Sequence, residues 1–415
     1  MKRVVILCVW LFSVVAGHAQ LSLDECRRLA RENYPEIRQY DLVHQTEQYN
    51  LSNAARAWIP QLAFSAQATW QTDAPNFPKE LTGMLAQQGL EIPGLRKDQY
   101  KVALELNQTI WDGGKSVADK RIARAEAAEQ KTMTDVDLYE LEGRVDDLYF
   151  GILLLDERIA QTNLTLNLLR SNLEKVRALQ RNGVAMQSDA DVLEAELLSV
   201  GQQLIQFESS CDSYRRMLGI FIGQKVGDRK LQHPSAVQPL SGESARPELA
   251  MFAAKIDRLT AQEKMVKSSS MPRLGFFAQG YYGYPGLDYM QSMMNNDWSW
   301  NAMLGVKLSW NFGAYYTQKN NLNKLRTSRQ QVEVQRDVFL FNMNLQAAQE
   351  NGDIARLRKA IADDDRIVAL RRSVREAAES KLRNGIIDTH DLLSKITDES
   401  TASMARSMRE IELLK

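Results

Sequence analysis

Trp58-Ile59-Pro60-Gln61-Leu62-Ala63-Phe64-Ser65-Ala66-Gln67 returns later in the chain as Ser270-Met271-Pro272-Arg273-Leu274-Gly275-Phe276-Phe277-Ala278-Gln279, with Pro, Leu, Phe, Ala and Gln in register. The surroundings of the two copies also match. A helix-like segment precedes each proline, two alternating segments follow, and then come Trp111-Asp112-Gly113-Gly114 and Trp310-Asn311-Phe312-Gly313. Further on lie Arg181-Asn182-Gly183-Val184 and Arg383-Asn384-Gly385-Ile386. Echoes in a fixed order indicate an internal duplication, here a first repeat over 20–240, with a connecting segment at 221–240, and a second over 241–415.

The alternating segments predict four strands, at about 61–71, 100–111, 273–284 and 301–311. Leu62, Phe64, Ala66, Ala68 and Trp70 face one way, and Gln61, Ala63, Ser65, Gln67 and Thr69 the other. Val102, Leu104, Leu106 and Ile110 alternate with Lys101, Glu105, Asn107 and Thr109, and Ala302, Leu304, Val306, Leu308 and Trp310 with Asn301, Lys307 and Ser309. In the third strand Leu274, Phe276, Ala278, Tyr282 and Tyr284 share a side, while Phe277 and Tyr281 blur the other. A sandwich with one wet face and a barrel with lipid outside and water inside both fit this pattern. Strands of about 10 residues have the length a tilted membrane strand needs. All six tryptophans beyond the N-terminal segment fall in or beside them, as aromatic girdles do. Four strands cannot close a membrane barrel, so the rest must come from other copies of the chain.

The remainder reads as long helix. Residues 94 to 233 and 286 to 415 contain no proline. Leu138, Leu141, Val145, Leu148, Ile152, Leu155, Ile159, Thr162, Leu166, Leu169, Leu173 and Val176 step by three and four, a coiled-coil seam. Leu193, Leu197, Val200, Leu204, Phe207, Cys211, Tyr214 and Leu218 resume it after a turn at 182–187, which predicts an antiparallel hairpin over 113–220. A second hairpin is expected over 313–415, although Asp364 and Arg371 interrupt the seam that Ile354, Leu357 and Ile361 begin. A run from 113 to 182 spans about 100 Å, so two shorter helices are expected to stack along each long one: 22–57, capped by Ser22 and Glu25, with 188–220, and 246–269 with 389–415.

Lys plus Arg equals Asp plus Glu, 52 each, so no overall charge points to nucleic acid. Residues 1–19 read as a cleavable secretory signal: Lys2 and Arg3, an apolar run, then Gly17 and Ala19. Cys26 and Cys211 then stand as two thiols, with a disulfide between them the minority reading. Beyond the signal His44, His233 and His390 are widely spaced, with no phosphate loop, zinc motif or nucleophile elbow, so neither an enzyme nor a cofactor is expected.

The signal, the two strand pairs, the two long hairpins and the phrases Leu21-Ser22-Leu23-Asp24-Glu25, Trp58-Ile59-Pro60-Gln61-Leu62 and Trp111-Asp112-Gly113-Gly114 together resemble the TolC-type outer membrane efflux proteins over essentially the whole mature chain. The resemblance implies a homotrimer in which four strands per chain make a twelve-stranded barrel in the outer membrane of a Gram-negative bacterium, continued by an α-helical coiled-coil tunnel through the periplasm. It implies a passive exit duct for efflux or type I secretion, recruited by a periplasmic adaptor (membrane fusion protein) and an inner-membrane transporter of the RND, ABC or MFS class. The turn residues Arg181, Asn182, Gly183, Arg383, Asn384 and Gly385 are the implied adaptor contacts. Asp391 is the implied carboxylate ring at the periplasmic gate, Asp189 sits on the neighbouring hairpin, and Asp388 is a further acid. Asp391 and Asp189 also read as ordinary caps of their returning helices. Leu382 and Ile387 stand where the family carries a tyrosine and an arginine that lock the closed gate, and Ser394 where a second acidic ring would fall, so those locking bonds do not carry over. His390 beside Asp391, and Met290, Met293 and Met294 between the last strands, read as ordinary surface residues. The competing reading is a barrel-anchored trimeric coiled coil with a structural or adhesive role.

Overall fold

A computed structural model describes residues 20–90, 92–234 and 246–415; the signal segment and part of the connecting segment lie outside them. The chain divides into two compact units, and each draws on both halves of the sequence. One holds the described residues of 1–39, 134–247 and 337–415, the other 40–133 and 248–336.

The second unit contains the sheet, β1 (Gln61–Trp70), β2 (Asp98–Trp111), β3 (Arg273–Tyr284) and β4 (Ser299–Ser309), antiparallel in the order β1-β2-β3-β4. Pairing is residue for residue, with one irregularity between Thr109 and Trp111. Leu62 sits opposite Leu106, Leu106 opposite Ala278 and Ala278 opposite Leu304, so all four strands send their apolar sets to one face. Phe277 and Tyr281 lie on the polar face for local reasons. Phe277 covers Gly305, where a Cβ would come within 2.9 Å of its ring, and Tyr281 is buried with the Lys101 ammonium 4.5 Å from its ring centre. Two short helices not anticipated from sequence, α3 (Lys79–Gln87) and α7 (Tyr289–Asn295), interrupt the inter-strand loops; α7 carries the three methionines, with Met290 and Met294 exposed.

At the foot of the sheet β2 gives way to α4 (Lys115–Arg181) through the Trp-Asp-Gly-Gly turn. The Asp112 carboxylate accepts from the Gly114 and Ser116 backbone N–H groups at 2.9 and 2.7 Å, holding the start of the helix. Gly113 has φ 71°, and a Cβ there would meet Met271 Cβ at 2.7 Å and the Pro272 carbonyl at 3.1 Å. Two tryptophans finish this corner: the Trp58 indole donates to Ser116 Oγ and that of Trp310 to the Ser270 carbonyl, each at 3.0 Å.

In the first unit α4 runs against α5 (Gln187–Ile222), and every seam residue from Leu138 to Val176 except Ile159 is buried. The helix expected over 22–57 is two, α1 (Leu23–Asn33) and α2 (Gln39–Arg56), separated by a 3₁₀ turn at Pro35–Arg38. Pro35 has no N–H for a continuing helix, and Tyr34 before it is extended. Ser22 Oγ caps α1 by accepting from Glu25 N at 3.2 Å. Cys26 and Cys211 are free thiols in one apolar cluster with Val145, Tyr149, Ile152 and Leu218; burial pushes the Cys26 thiol up to about 12. The Tyr149 hydroxyl ties the chain start to the segment after α5, donating to the carbonyls of Leu21 and Gln232.

Further along the chain come α6 (Pro247–Ser269), with proline at its first position, then α8 (Gly313–Arg383) and α9 (Thr389–Leu414). The residues that break its seam are interhelical partners. Asp364 is buried on α8 and paired with Arg409 of α9, and Arg371 pairs with Asp398 at 2.6 Å. No described helix is long and apolar enough to cross a membrane.

Candidate functional site

The two hairpin turns are built alike. Gly183 and Gly385 have φ 74° and 68°, in open space, so backbone conformation alone asks for glycine. Val184 N donates to the Leu179 carbonyl at 2.9 Å, and Ile386 N to that of Lys381 at 3.0 Å, closing the same six-residue loop. Arg181, Asn182, Arg383 and Asn384 are exposed, and so are the apolar side chains of Val184, Met186 and Ile386.

The three acids do different work. Asp189 Oδ2 accepts from Met186 N at 2.9 Å and so caps α5. Asp388 caps α9 by accepting from Asp391 N at 2.8 Å. The Asp391 carboxylate is exposed, and among the described residues nothing bonds or pairs with it. The capping alternative therefore describes Asp189 and not Asp391, because the cap of α9 is Asp388. His390 beside it is exposed.

Leu382 and Ile387, the departures from the family pattern, pack with Ala185 against a cluster formed by Leu166, Leu169, Leu173, Val176, Leu193, Leu392 and Ile396. The two hairpin tips are thereby joined within one chain by apolar contact. Above it Arg375 of α8 bonds Glu399 of α9 at 2.6 Å and Glu379 at 2.7 Å, and Lys175 of α4 reaches Glu379 at 3.4 Å. Burial disfavours charge on both Arg375 and Glu379. Their bonds outweigh it, holding the guanidinium above its ordinary value and the Glu379 carboxyl below its own.

The sheet forms the other candidate site, in the second unit. Its apolar face is bare: Phe64 is 73 % exposed, Trp70 70 %, Leu304 75 % and Trp300 82 %. Aromatic residues gather at both ends of that face. Tyr100 and Trp298 stack at 5.7 Å and Tyr282 touches Trp300 at 5.0 Å at one end, and Trp310 meets Phe312 at 4.7 Å at the other. β1 and β4 have no strand beside their outer edges among the described residues. Nor do the described residues group three or more His, Cys, Asp or Glu side chains where a metal would bind.

The profile of a family described as outer membrane efflux protein matches residues 27–223. No curated protein sequence matches the chain. Solved structures do: the outer-membrane channel OprN at 14 % identity and TM-score 0.70, covering 94 % of this chain and 87 % of that one; VceC from Vibrio cholerae at 15 % and 0.68, covering 94 % and 93 %; and CusC at 14 % and 0.68, covering 95 % and 91 %. At such identities the likeness is one of fold, and it extends over nearly the whole chain. Residues 27–223 thus carry the profile of the outer membrane efflux proteins, and nearly the whole chain has the fold of outer-membrane channels of the TolC type.

Proposed function

We propose that three copies of this chain close a twelve-stranded barrel in the outer membrane and form a passive exit duct. A periplasmic adaptor and an inner-membrane transporter would recruit it and supply the energy. The observation that carries this reading is the sheet: one face apolar on all four strands and exposed, with both edges open. An apolar face of that extent needs lipid or a partner, and open edges in lipid leave backbone groups unsatisfied unless another copy pairs with them. The division into repeats at 20–240 and 241–415 belongs to the same proposal.

A second observation supports assembly through the helices. Along α8, Val334, Val338, Phe341 and Leu345 are exposed at spacings of four, three and four, and Ile367, Leu370 and Val374 at three and four. Such a stripe is a coiled-coil seam without its partner helix. A trimeric helical barrel supplies one from the next copy.

In this reading the turns carrying Arg181, Asn182, Gly183, Arg383, Asn384 and Gly385 meet the adaptor, with Val184, Met186 and Ile386 as apolar anchors. Asp391 faces the pore at the gate; Asp189 and Asp388 shape the turns behind it. Leu382 and Ile387 replace a polar lock with packing. Cryo-electron microscopy of the mature protein in detergent tests the proposal. A threefold particle with twelve closed strands is expected. A particle in which the four strands pair into a soluble sandwich overturns it.

A further inference from the structure

The register decides which charges share the polar face of the sheet. Gln61, Ala63, Ser65, Gln67 and Thr69 of β1 bring none. β2 places Lys101 and Glu105 there, β3 contributes Arg273, and β4 contributes Lys307. Three cations thus stand against one anion. None of the four is in an ion pair among the described residues. The Lys101 ammonium donates to Gln279 Oε1 at 3.1 Å and lies over Tyr281, while Glu105 accepts from Asn107 Nδ2 at 3.0 Å.

The charges just beyond the strands are largely accounted for. Asp98 is matched by Arg96 at the outer end. At the inner end Lys115 is matched by Asp119 at 2.7 Å, and Asp112 is held by backbone N–H groups. By sequence the loops hold Asp73, Glu80, Glu91, Asp288 and Asp297 against Lys79 and Lys97, so the excess of positive charge is a property of the strand face alone.

We propose that this face makes the barrel an anion-favouring conduit, with Lys101, Arg273 and Lys307 as its selecting residues and cargo that leaves in negatively charged form as its preferred class. The proposal rests on the barrel reading, in which the polar face lines the lumen. Each chain brings a net two positive charges and three chains six, set in two rings: Lys101 opposite Gly283 at the outer end and, eight residues along β3, Lys307 opposite Gly275 with Arg273 beside it at the inner end. Low-dielectric walls focus the field of such a ring into the lumen, and rings of Arg or Lys are how pores favour anions. Salt screens the field over about 8 Å at physiological ionic strength, so charged solutes travelling near the wall feel it most.

The test uses the full chain in outer-membrane vesicles, with Gln67→Cys, whose cross-strand partner is Lys101, and separately Ser65→Cys. Each thiol is reacted with an anionic (2-sulfonatoethyl) and a cationic (2-trimethylammonioethyl) methanethiosulfonate, and the ratio of rates is divided by that for a free small thiol. The unsubstituted chain, with Cys26 and Cys211 buried, is the background. An anionic preference of about threefold or more is expected at residue 67, opposite Lys101, and a smaller one at residue 65, midway between Lys101 and Glu105, both collapsing towards one in the Lys101→Gln background. A ratio at or below one at both sites, with both reagents reacting, overturns the inference and leaves the barrel standing. If neither reagent reaches residues 65 and 67, the polar face is not a wet lumen, and the barrel reading falls together with the inference.

Discussion

At the scale of the residue, the corner where strand becomes helix is the least forgiving place in the chain. Gly113→Ala puts a side chain into a left-handed backbone and against Met271 and Pro272. A loss of about 2–4 kcal/mol is expected, read as a lowered urea midpoint, whereas an unchanged midpoint would mean the turn relaxes without cost. Thr162 makes the opposite case, because its hydroxyl is buried in the α4 seam with no hydrogen-bond partner among the described residues. Thr162→Val keeps the shape and removes the orphan, so stability should rise by about 1 kcal/mol. A fall would reveal a partner supplied only on assembly. The sequence reading put Thr162 in the seam by spacing alone, which is all that period conveys. It conveys nothing of whether a hydroxyl finds an acceptor. For the same reason capping fits Asp189 and Asp391 alike on paper, and only backbone geometry shows that Asp189 and Asp388 are the two occupied in it.

Among the elements, the strands were legible because alternation writes the faces directly, and cross-strand register then follows from keeping one face apolar. The break between α1 and α2 was equally visible in Pro35 but was overridden by the expectation of one long helix. Charged residues in the seam of α8 looked like interruptions because a sequence shows one helix at a time. On the folded chain Asp364 and Arg371 are matched from α9, so ion pairs take the place of part of the apolar seam in the second hairpin. This makes it the pH-sensitive hairpin. The Glu379 carboxyl is held below its ordinary value, so it stabilises the fold above the unfolded-state value near 4.5, and that stability is lost as pH falls through the lower folded value. Glu379 holds Arg375, which bonds Glu399 of α9, so hydrogen exchange of α9 should quicken as pH drops below 4.5 more than that of α5; Glu379→Gln should abolish the difference. Equal quickening of both hairpins would assign the effect to general acid unfolding. The exposed seam of α8 gives a separate expectation: Phe341→Glu should leave the chain folded but shift it from trimer to smaller species in light scattering, and an intact trimer would show that this stripe faces something other than another copy.

For the molecule as a whole, the resemblance supplied what no single chain displays, the number of copies and the direction of flow, and the element order and fold agree with it. Which acids act on passing ions is a question the chain's own geometry sharpens. Asp189 is spent on Met186 N and Asp388 on Asp391 N, leaving the Asp391 carboxylate unengaged and exposed at the second tip. In a threefold assembly three such carboxylates would converge, repelling one another and drawing cations. The two roles separate by mutation. Asp391→Ala should leave the urea midpoint nearly unchanged while raising conductance or weakening cation preference in planar bilayers, since it removes pore charge without removing a cap. Asp189→Ala should do the reverse, costing about 1 kcal/mol of stability for the lost cap with ion preference preserved. Because each channel contains the same barrel, any preference contributed by Lys101, Arg273 and Lys307 is common to both variants and cancels in the comparison. If Asp391→Ala lowers stability as Asp189→Ala does and leaves reversal potentials untouched, the acid is one more piece of turn architecture, and the packing of Leu382 and Ile387 becomes the sole determinant of how the tips close.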